Sequence, residues 1–251
     1  DGGGFPMGPL ALTDLIGQDV NFAVTCSVFN AFWQDRRFLP SLLQQELALA
    51  GRLGKKSGHG VYRWPVENQP ELALAAVSAD RAAKTVKSDV VTELDDVLLL
   101  ETTGETALAL SVQHQRPVVV YDHAAGNIVV LAGAPTNPDS ATDKAVYYFQ
   151  QQGKNVLRIA DYPGLLVWRT VAMLANEALD AVQKGVANAD DIDTAMRLGV
   201  NYPRGPLAWG ESLGWGRVLR LLENLQQHYG EERYRPSALL RQKALMEMRH
   251  E

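Results

Sequence analysis

The residues best suited to chemistry lie in one short stretch, GRLGKKSGHGVYRW, residues 51–64. Four glycines, at 51, 54, 58 and 60, surround Lys55 and Lys56. Glycine lets backbone N–H groups turn inward, and two ammonium groups beside them can meet an anion. A solvated basic turn has the same composition. Other constellations are sparse. There is no G-x-G-x-x-G, and DGGG at the start follows no strand. The five histidines lack H-E-x-x-H or Cys/His spacing, so no metal site is expected. There is no G-x-S-x-G for acyl transfer. Asp122 ends the apolar run VVVYD, where a nucleotide-binding layer places a ribose-binding acid. Without a glycine-rich loop upstream it reads as a solvated strand end. His123 follows it, with no carboxylate or nucleophile arranged by spacing to support catalysis. No catalytic residue is assigned.

The elements that must position the lysine turn repeat along the chain. Gly8-Pro9-Leu10 matches Gly205-Pro206-Leu207 at an offset of 205 − 8 = 197, and Gly17 matches Gly214 at the same offset. RFLPSLLQQ from Arg37 matches RYRPSALLRQ from Arg233, at 236 − 40 = 196 between prolines. Each copy reads as helices joined by tight turns. Gly-Pro starts a helix well, because proline at the first position gives up no needed N–H. Gly17 and Gly214 are expected as left-handed caps. Val20, Val24, Val28 and Phe32 predict one apolar face of a helix, and another helix after Pro40 closes at Gly51. In the second copy a long helix is predicted between Pro163 and Gly185, with Val167, Val171, Leu174, Ala178 and Val182 as its stripe. NADDIDTAMRLG then reads as a helix capped by Asn188. Nothing comparable precedes Gly3, so the chain reads as one that begins inside a unit at Asp1.

Between the copies the texture changes. PVENQPELALAA reads as a linker and short helix. DDVLLLETT, RPVVVYDH, NIVVLAG and KNVLRIAD read as strands, with helices at GETALALSVQHQ and DSATDKAVYYFQQQG. Such alternation predicts an α/β layer with a largely parallel sheet. The fold class is therefore mainly α with an inserted α/β layer.

Composition narrows the rest. The net charge of −5 gives no electrostatic case for nucleic acid or an anionic membrane. No run approaches the ~20 apolar residues of a membrane span, and the amino terminus has no signal-peptide pattern. The single cysteine, Cys26 in FAVTCSVF, reads as a buried packing thiol in a reducing, cytoplasmic setting. Five tryptophans and FPMGP are candidate pocket linings, though aromatics at helical spacing usually form core.

GGFPMGPLALTDLIGQDV and RRFLPSLLQQELALAGRLGKKSGHGVYRW closely resemble the carboxyl-terminal domain of the 3-hydroxyacyl-CoA dehydrogenases. DYPGLLVWRTVAMLANEALDAVQKGVANADDIDTAMRLGVNYPRGPLAW resembles a diverged second copy. The resemblance extends to long bacterial 3-hydroxybutyryl-CoA members of the phenylacetate-degradation type. It implies two helical domains like the carboxyl-terminal domain of 6-phosphogluconate dehydrogenase, flanking a reduced Rossmann-like domain. The implied boundaries are 1–65, 66–160 and 161–251.

Such enzymes oxidise an (S)-3-hydroxyacyl-CoA to the 3-oxoacyl-CoA, passing hydride to NAD while a glutamate-oriented histidine takes the hydroxyl proton. The resemblance puts that dyad in a Rossmann domain outside this sequence, together with the first helix of the first helical domain. Lys56 matches a lysine that reaches the NAD, and Pro6 and Met7 match a loop beside the acyl-binding region. Trp168-Arg169 stands where the family has Asn-Arg, and Asn137-Pro138 lacks a preceding histidine, so the second copy reads as catalytically silent. The implied partners are an acyl-CoA substrate and either intrachain pairing of the helical copies or a homodimer. Two alternatives from other classes are a scaffold or acyl-CoA-binding module, and an enzyme centred on Asp122 and His123.

Overall fold

The computed structural model describes residues 2–65, 72–76, 83–87, 91–122 and 126–249, so His123 lies outside the described residues. The chain forms two compact units. The larger comprises residues 1–5, 73–230 and 236–251; the smaller comprises 6–72 and 231–235.

The smaller unit holds helices α1 (Pro9–Ile16), α2 (Gln18–Ala31) and α3 (Leu42–Leu49), with 3-10 turns at Arg36–Phe38 and Lys55–Ser57. Gly17 joins α1 to α2 at φ 113°, ψ 127°. That is positive φ with extended ψ, not the left-handed cap expected: one residue must both end a helix and start the next at a sharp angle. Val20, Val24, Val28 and Phe32 are all exposed, so the expected stripe of α2 is apolar but uncovered. Cys26 is half-buried rather than buried, for the same reason.

Among the described residues of the larger unit, six strands form one sheet in sequence order: β1 (Thr85–Lys87), β2 (Thr92–Leu94), β3 (Val97–Glu101), β4 (Val118–Tyr121), β5 (Ile128–Gly133) and β6 (Asn155–Arg158). The sheet is mixed rather than largely parallel. Only β3–β4 and β5–β6 run parallel, each joined through a helix, α4 (Ala107–His114) or α5 (Asp139–Gln150). Parallel crossovers need a dozen or more residues. Asp95-Asp96 turns β2 straight into β3, and only residues 122–127 separate β4 from β5, so both pairs are antiparallel. Alternation along the strands splits the core between two faces. Leu99, Val119, Val129 and Leu131 pack under α5 with Ala145 and Phe149. Leu98, Val118, Val120 and Ala132 face Ala107 and Leu110 of α4. The described part of PVENQPELALAA is not helical, because Leu74 forms a bridge with Leu157 of β6.

The same unit carries α6 (Val167–Gln183), α7 (Ala189–Gly199), α8 (Pro206–Leu213), α9 (Trp215–Tyr229) and α10 (Ala238–Glu247). Asn188 caps α7 as expected, accepting from the Asp191 N–H. Gly214 has φ 89°, ψ 125°, the same break as Gly17. α8, α9, the turn Glu232–Tyr234 and α10 repeat α1, α2, the turn Arg36–Phe38 and α3 at the offsets of the sequence repeat. The buried face of α6 is Trp168, Val171, Ala172, Ala175, Asn176, Ala178 and Leu179. It is centred one residue beyond the expected stripe, leaving Val167, Leu174 and Val182 half-buried. No helix among the described residues is long and apolar enough to cross a membrane.

Candidate functional site

The lysine turn is held by a residue that spacing did not flag. Asp14 lies on α1 in an otherwise apolar run and is fully buried. Its Oδ1 accepts from the Gln18 Nε2 (2.7 Å) and the Val61 N–H (2.9 Å). Its Oδ2 accepts from the Tyr62 N–H (2.9 Å) and the Trp64 Nε1 (3.1 Å). Burial pushes this carboxyl up, but the hydrogen bonds from Tyr62, Gln18, Val61 and Trp64 outweigh burial and hold it below the usual range. The close fit requires glycine. A Cβ on Gly54 (φ +94°) would lie 2.1 Å from the Asp14 carbonyl oxygen, and one on Gly60 2.1 Å from Oδ1. Within the turn, the Leu53 N–H donates to Ser57 Oγ (2.8 Å), and Arg52 donates to the Gly60 carbonyl (2.8 Å).

The two lysines diverge. Lys55 lies over the Trp64 ring, 6.0 Å from its centroid. Lys56 reaches back to the start of α2 and donates to Asp19 Oδ2 at 2.6 Å. The Lys56 hydrogen bond is the main cause holding the Asp19 carboxyl below its usual range. Gly17 gives the ammonium room, since a Cβ there would lie 3.0 Å from Lys56 Nζ. The result is a cation beside a helix N-terminus, balanced by the Asp19 carboxylate.

Pro6 and Met7 are exposed just before α1, at the end opposite Asp14. Eight helical residues separate the two ends by about 12 Å, and no described hydrogen bond or ion pair joins Pro6 or Met7 to Lys56. Phe5, one residue earlier, packs on Tyr202 and Trp209 with centroids 5.2 and 5.4 Å away.

The second candidate centre, at the carboxyl ends of β3 and β4, is built differently from expectation. Asp122 is buried, not a solvated strand end. Its carboxylate accepts from the backbone N–H groups of Leu166 (2.8 Å), Val167 (2.6 Å) and Trp168 (2.9 Å) and so caps α6. The Trp168 indole donates to Glu101 Oε1 at 3.0 Å, while Arg217 pairs with Glu101 Oε2 at 2.6 Å and lies over the indole. A cavity of about 210 Å³ beside them is lined by residues including Glu101, Tyr121, Asp122 and Lys154. Burial first, and the Glu101 charge second, push the Tyr121 hydroxyl up to about 12. Asn137 is structural, donating to the Val118 carbonyl at 2.8 Å.

Comparison with known proteins identifies this architecture. A profile described as "3-hydroxyacyl-CoA dehydrogenase, C-terminal domain" matches residues 1–64 and 164–248. One described as "3-hydroxybutyryl-CoA dehydrogenase reduced Rossmann-fold domain" matches 99–163. The chain belongs to the 3-hydroxyacyl-CoA dehydrogenase family. It is similar to the "3-hydroxyadipyl-CoA dehydrogenase" of Escherichia coli, at 71% identity over 100% of this chain and 53% of that protein. A crystal structure titled 3-hydroxybutyryl-CoA dehydrogenase from Escherichia coli superposes with TM-score 0.96 and 71% identity, covering 100% of this chain and 54% of that one. A "Probable 3-hydroxybutyryl-CoA dehydrogenase" of Bacillus subtilis is 35% identical over 45% of this chain and 39% of its own length. The chain thus spans about half the length of the first of these relatives or less.

Proposed function

We propose that this chain is the carboxyl-terminal part of an NAD-dependent (S)-3-hydroxyacyl-CoA dehydrogenase that forms 3-oxoacyl-CoA in fatty-acid or phenylacetate breakdown. The observation that carries the reading is similarity over the whole of this chain to 53% of an enzyme named for that chemistry, joined to the Asp14-held turn. The modules are residues 1–65, 66–160 and 161–251. The lone cysteine fits a reducing cytoplasm.

NAD fits this chain at one point. Lys56 stands free enough to exchange Asp19 for an anionic or hydroxyl-bearing edge of the dinucleotide, and the remaining contacts come from residues beyond this chain. NAD, when bound, supplies the hydride acceptor. Asp14 keeps the turn rigid so that Lys56 is offered in one position, and Pro6 and Met7 present an apolar edge to the acyl group. The module around Trp168 fills its own crevice with an indole and a Glu101–Arg217 pair, and takes no part in hydride transfer. The role of the chain as a whole is cleft closure and dimerisation or packing. Pairing of the helical copies, within one chain or in a homodimer, belongs to the same reading.

The test is Lys56→Ala in the longer polypeptide. The KM for NAD should rise roughly five- to thirtyfold, about 1–2 kcal/mol for one charge-assisted contact, with unchanged thermal stability. An unchanged KM for NAD removes Lys56 from the cofactor site. The two Escherichia coli names differ in acyl group, so hydroxybutyryl-CoA and hydroxyadipyl-CoA thioesters are the substrates to compare.

A further inference from the structure

The carboxyl edge of the sheet in the larger unit carries polar groups that the fold leaves over. Glu101 and Tyr121 are register partners on the parallel strands β3 and β4. Side chains alternate along a strand, so Glu101 continues the face of Leu99, and Tyr121 that of Val119, the face under α5. The helix stops short of them. α5 ends at Gln150, and the chain turns at Gly153 (φ +73°) before β6 starts at Asn155. The space this leaves is the cavity of about 210 Å³ beside Asp122, walled by Val129 and Phe149 and edged by Glu101, Tyr121 and Lys154. It is smaller than the ~300–1,000 Å³ of pockets for drug-sized ligands, so its occupant is small.

Charge decides what that occupant is. Both acids at the cavity are already balanced. Glu101 accepts from the Trp168 indole on one oxygen and pairs with Arg217 on the other. Asp122 gives both oxygens to the N–H groups that open α6. Lys154 is not balanced. Its Nζ donates to the Gly126 carbonyl at 3.0 Å, and among the described residues no carboxylate forms an ion pair with it. One carbonyl leaves the ammonium its charge and two protons. The Tyr121 ring stands edge-on to Phe149, with centroids 5.1 Å apart, and among the described residues its hydroxyl makes no hydrogen bond. Burial, then the Glu101 charge, hold that hydroxyl protonated up to about 12, so it stays a donor. A cation, a neutral donor and an apolar wall meet in one space.

We propose that this cavity binds a small organic monocarboxylate, with its carboxylate on Lys154 and the Tyr121 hydroxyl and its apolar body against Val129 and Phe149. A nucleotide phosphate has no seat here. The N-terminus of α4, which follows β3, already receives the Asp161 carboxylate on the Ala107 and Leu108 N–H groups (2.7 and 2.9 Å), and Asp122 fills that of α6. A metal cation is disfavoured by the Lys154 charge. The site lies wholly in the larger unit, whereas the lysine turn belongs to the smaller, and the inference is independent of the proposed reaction.

The test titrates benzoate into residues 1–251 by calorimetry, beside benzamide, which keeps the shape without the charge, and acetate, which keeps the charge without the ring. Benzoate should bind saturably at one site, with benzamide and acetate each weaker by about tenfold or more. Amide shifts on adding benzoate should cluster at Tyr121, Phe149 and Lys154. Both measurements use the unsubstituted chain, so they stand even if a variant misfolds. Lys154→Gln should weaken benzoate by about tenfold or more, and Tyr121→Phe by about three- to tenfold. No saturation below about 10 mM overturns the proposal. So does benzamide or acetate binding as tightly as benzoate, or benzoate binding that both substitutions leave unchanged. Shifts clustered at residues 55–57 instead assign the carboxylate to the lysine turn and overturn it as well.

Discussion

Replacing Asp14 with asparagine separates a positioning carboxylate from a merely buried one. The two carboxylate oxygens receive four donors, three of them from residues 61–64 and one from Gln18. An amide retains one acceptor oxygen and turns an NH2 toward backbone N–H groups that need an acceptor. At least two hydrogen bonds to a charged group are lost, each worth about 1.5–3 kcal/mol, so the turn should loosen by about 3 kcal/mol. Hydrogen exchange at the Val61 and Tyr62 amides is the direct assay, and about 3 kcal/mol corresponds to exchange faster by roughly a hundredfold or more. The acid limb gives a second readout. A carboxyl with a lowered folded-state pKa contributes its stabilisation fully above its ordinary value near pH 4, and loses it as pH falls through the lower value. The gap between native and Asp14→Asn turns should therefore be widest near neutrality and close below about pH 4. Exchange within twofold of the native rate, or a gap independent of pH, refutes the reasoning.

Two further substitutions probe the same logic elsewhere. Gly54→Ala forces a Cβ to 2.1 Å from the Asp14 carbonyl at φ +94°, and should cost about 3 kcal/mol or more in the smaller unit; unchanged unfolding and exchange there would contradict the fit. Asp122→Ala strands three N–H groups at the start of α6 and should destabilise the larger unit by roughly 3 kcal/mol, with altered tryptophan fluorescence from Trp168. A loss below about 0.5 kcal/mol would return Asp122 to a solvated strand end.

Local signals were legible where one residue or one period decides the outcome. Gly-Pro helix starts, the Asn188 cap, the four apolar strands and the 197-residue repeat all appear as read. What escaped depends on partners distant in sequence. TVK and TEL, the short strands β1 and β2, carry too little pattern to stand out and exist through pairing, β1 with β2 and β2 with β3. Parallel and antiparallel pairing turned on connection length, which the apolar runs alone do not express. Asp14 did leave a signal, a lone acid among Leu10, Ala11, Leu12, Leu15 and Ile16, which marks a buried charge that must find donors. Asp122 looked solvated because its three donors lie more than forty residues on. The apolar stripe of α2 was legible as apolar; its exposure was not.

The central claim is that residues 1–251 complete a dehydrogenase without performing the hydride transfer. It is tested most directly by following NADH formation from a 3-hydroxyacyl-CoA with residues 1–251 alone and with the longer polypeptide at equal concentration. Turnover by the longer polypeptide with none above background from residues 1–251 is the expected result. Turnover by residues 1–251 alone, or none by either, contradicts the account.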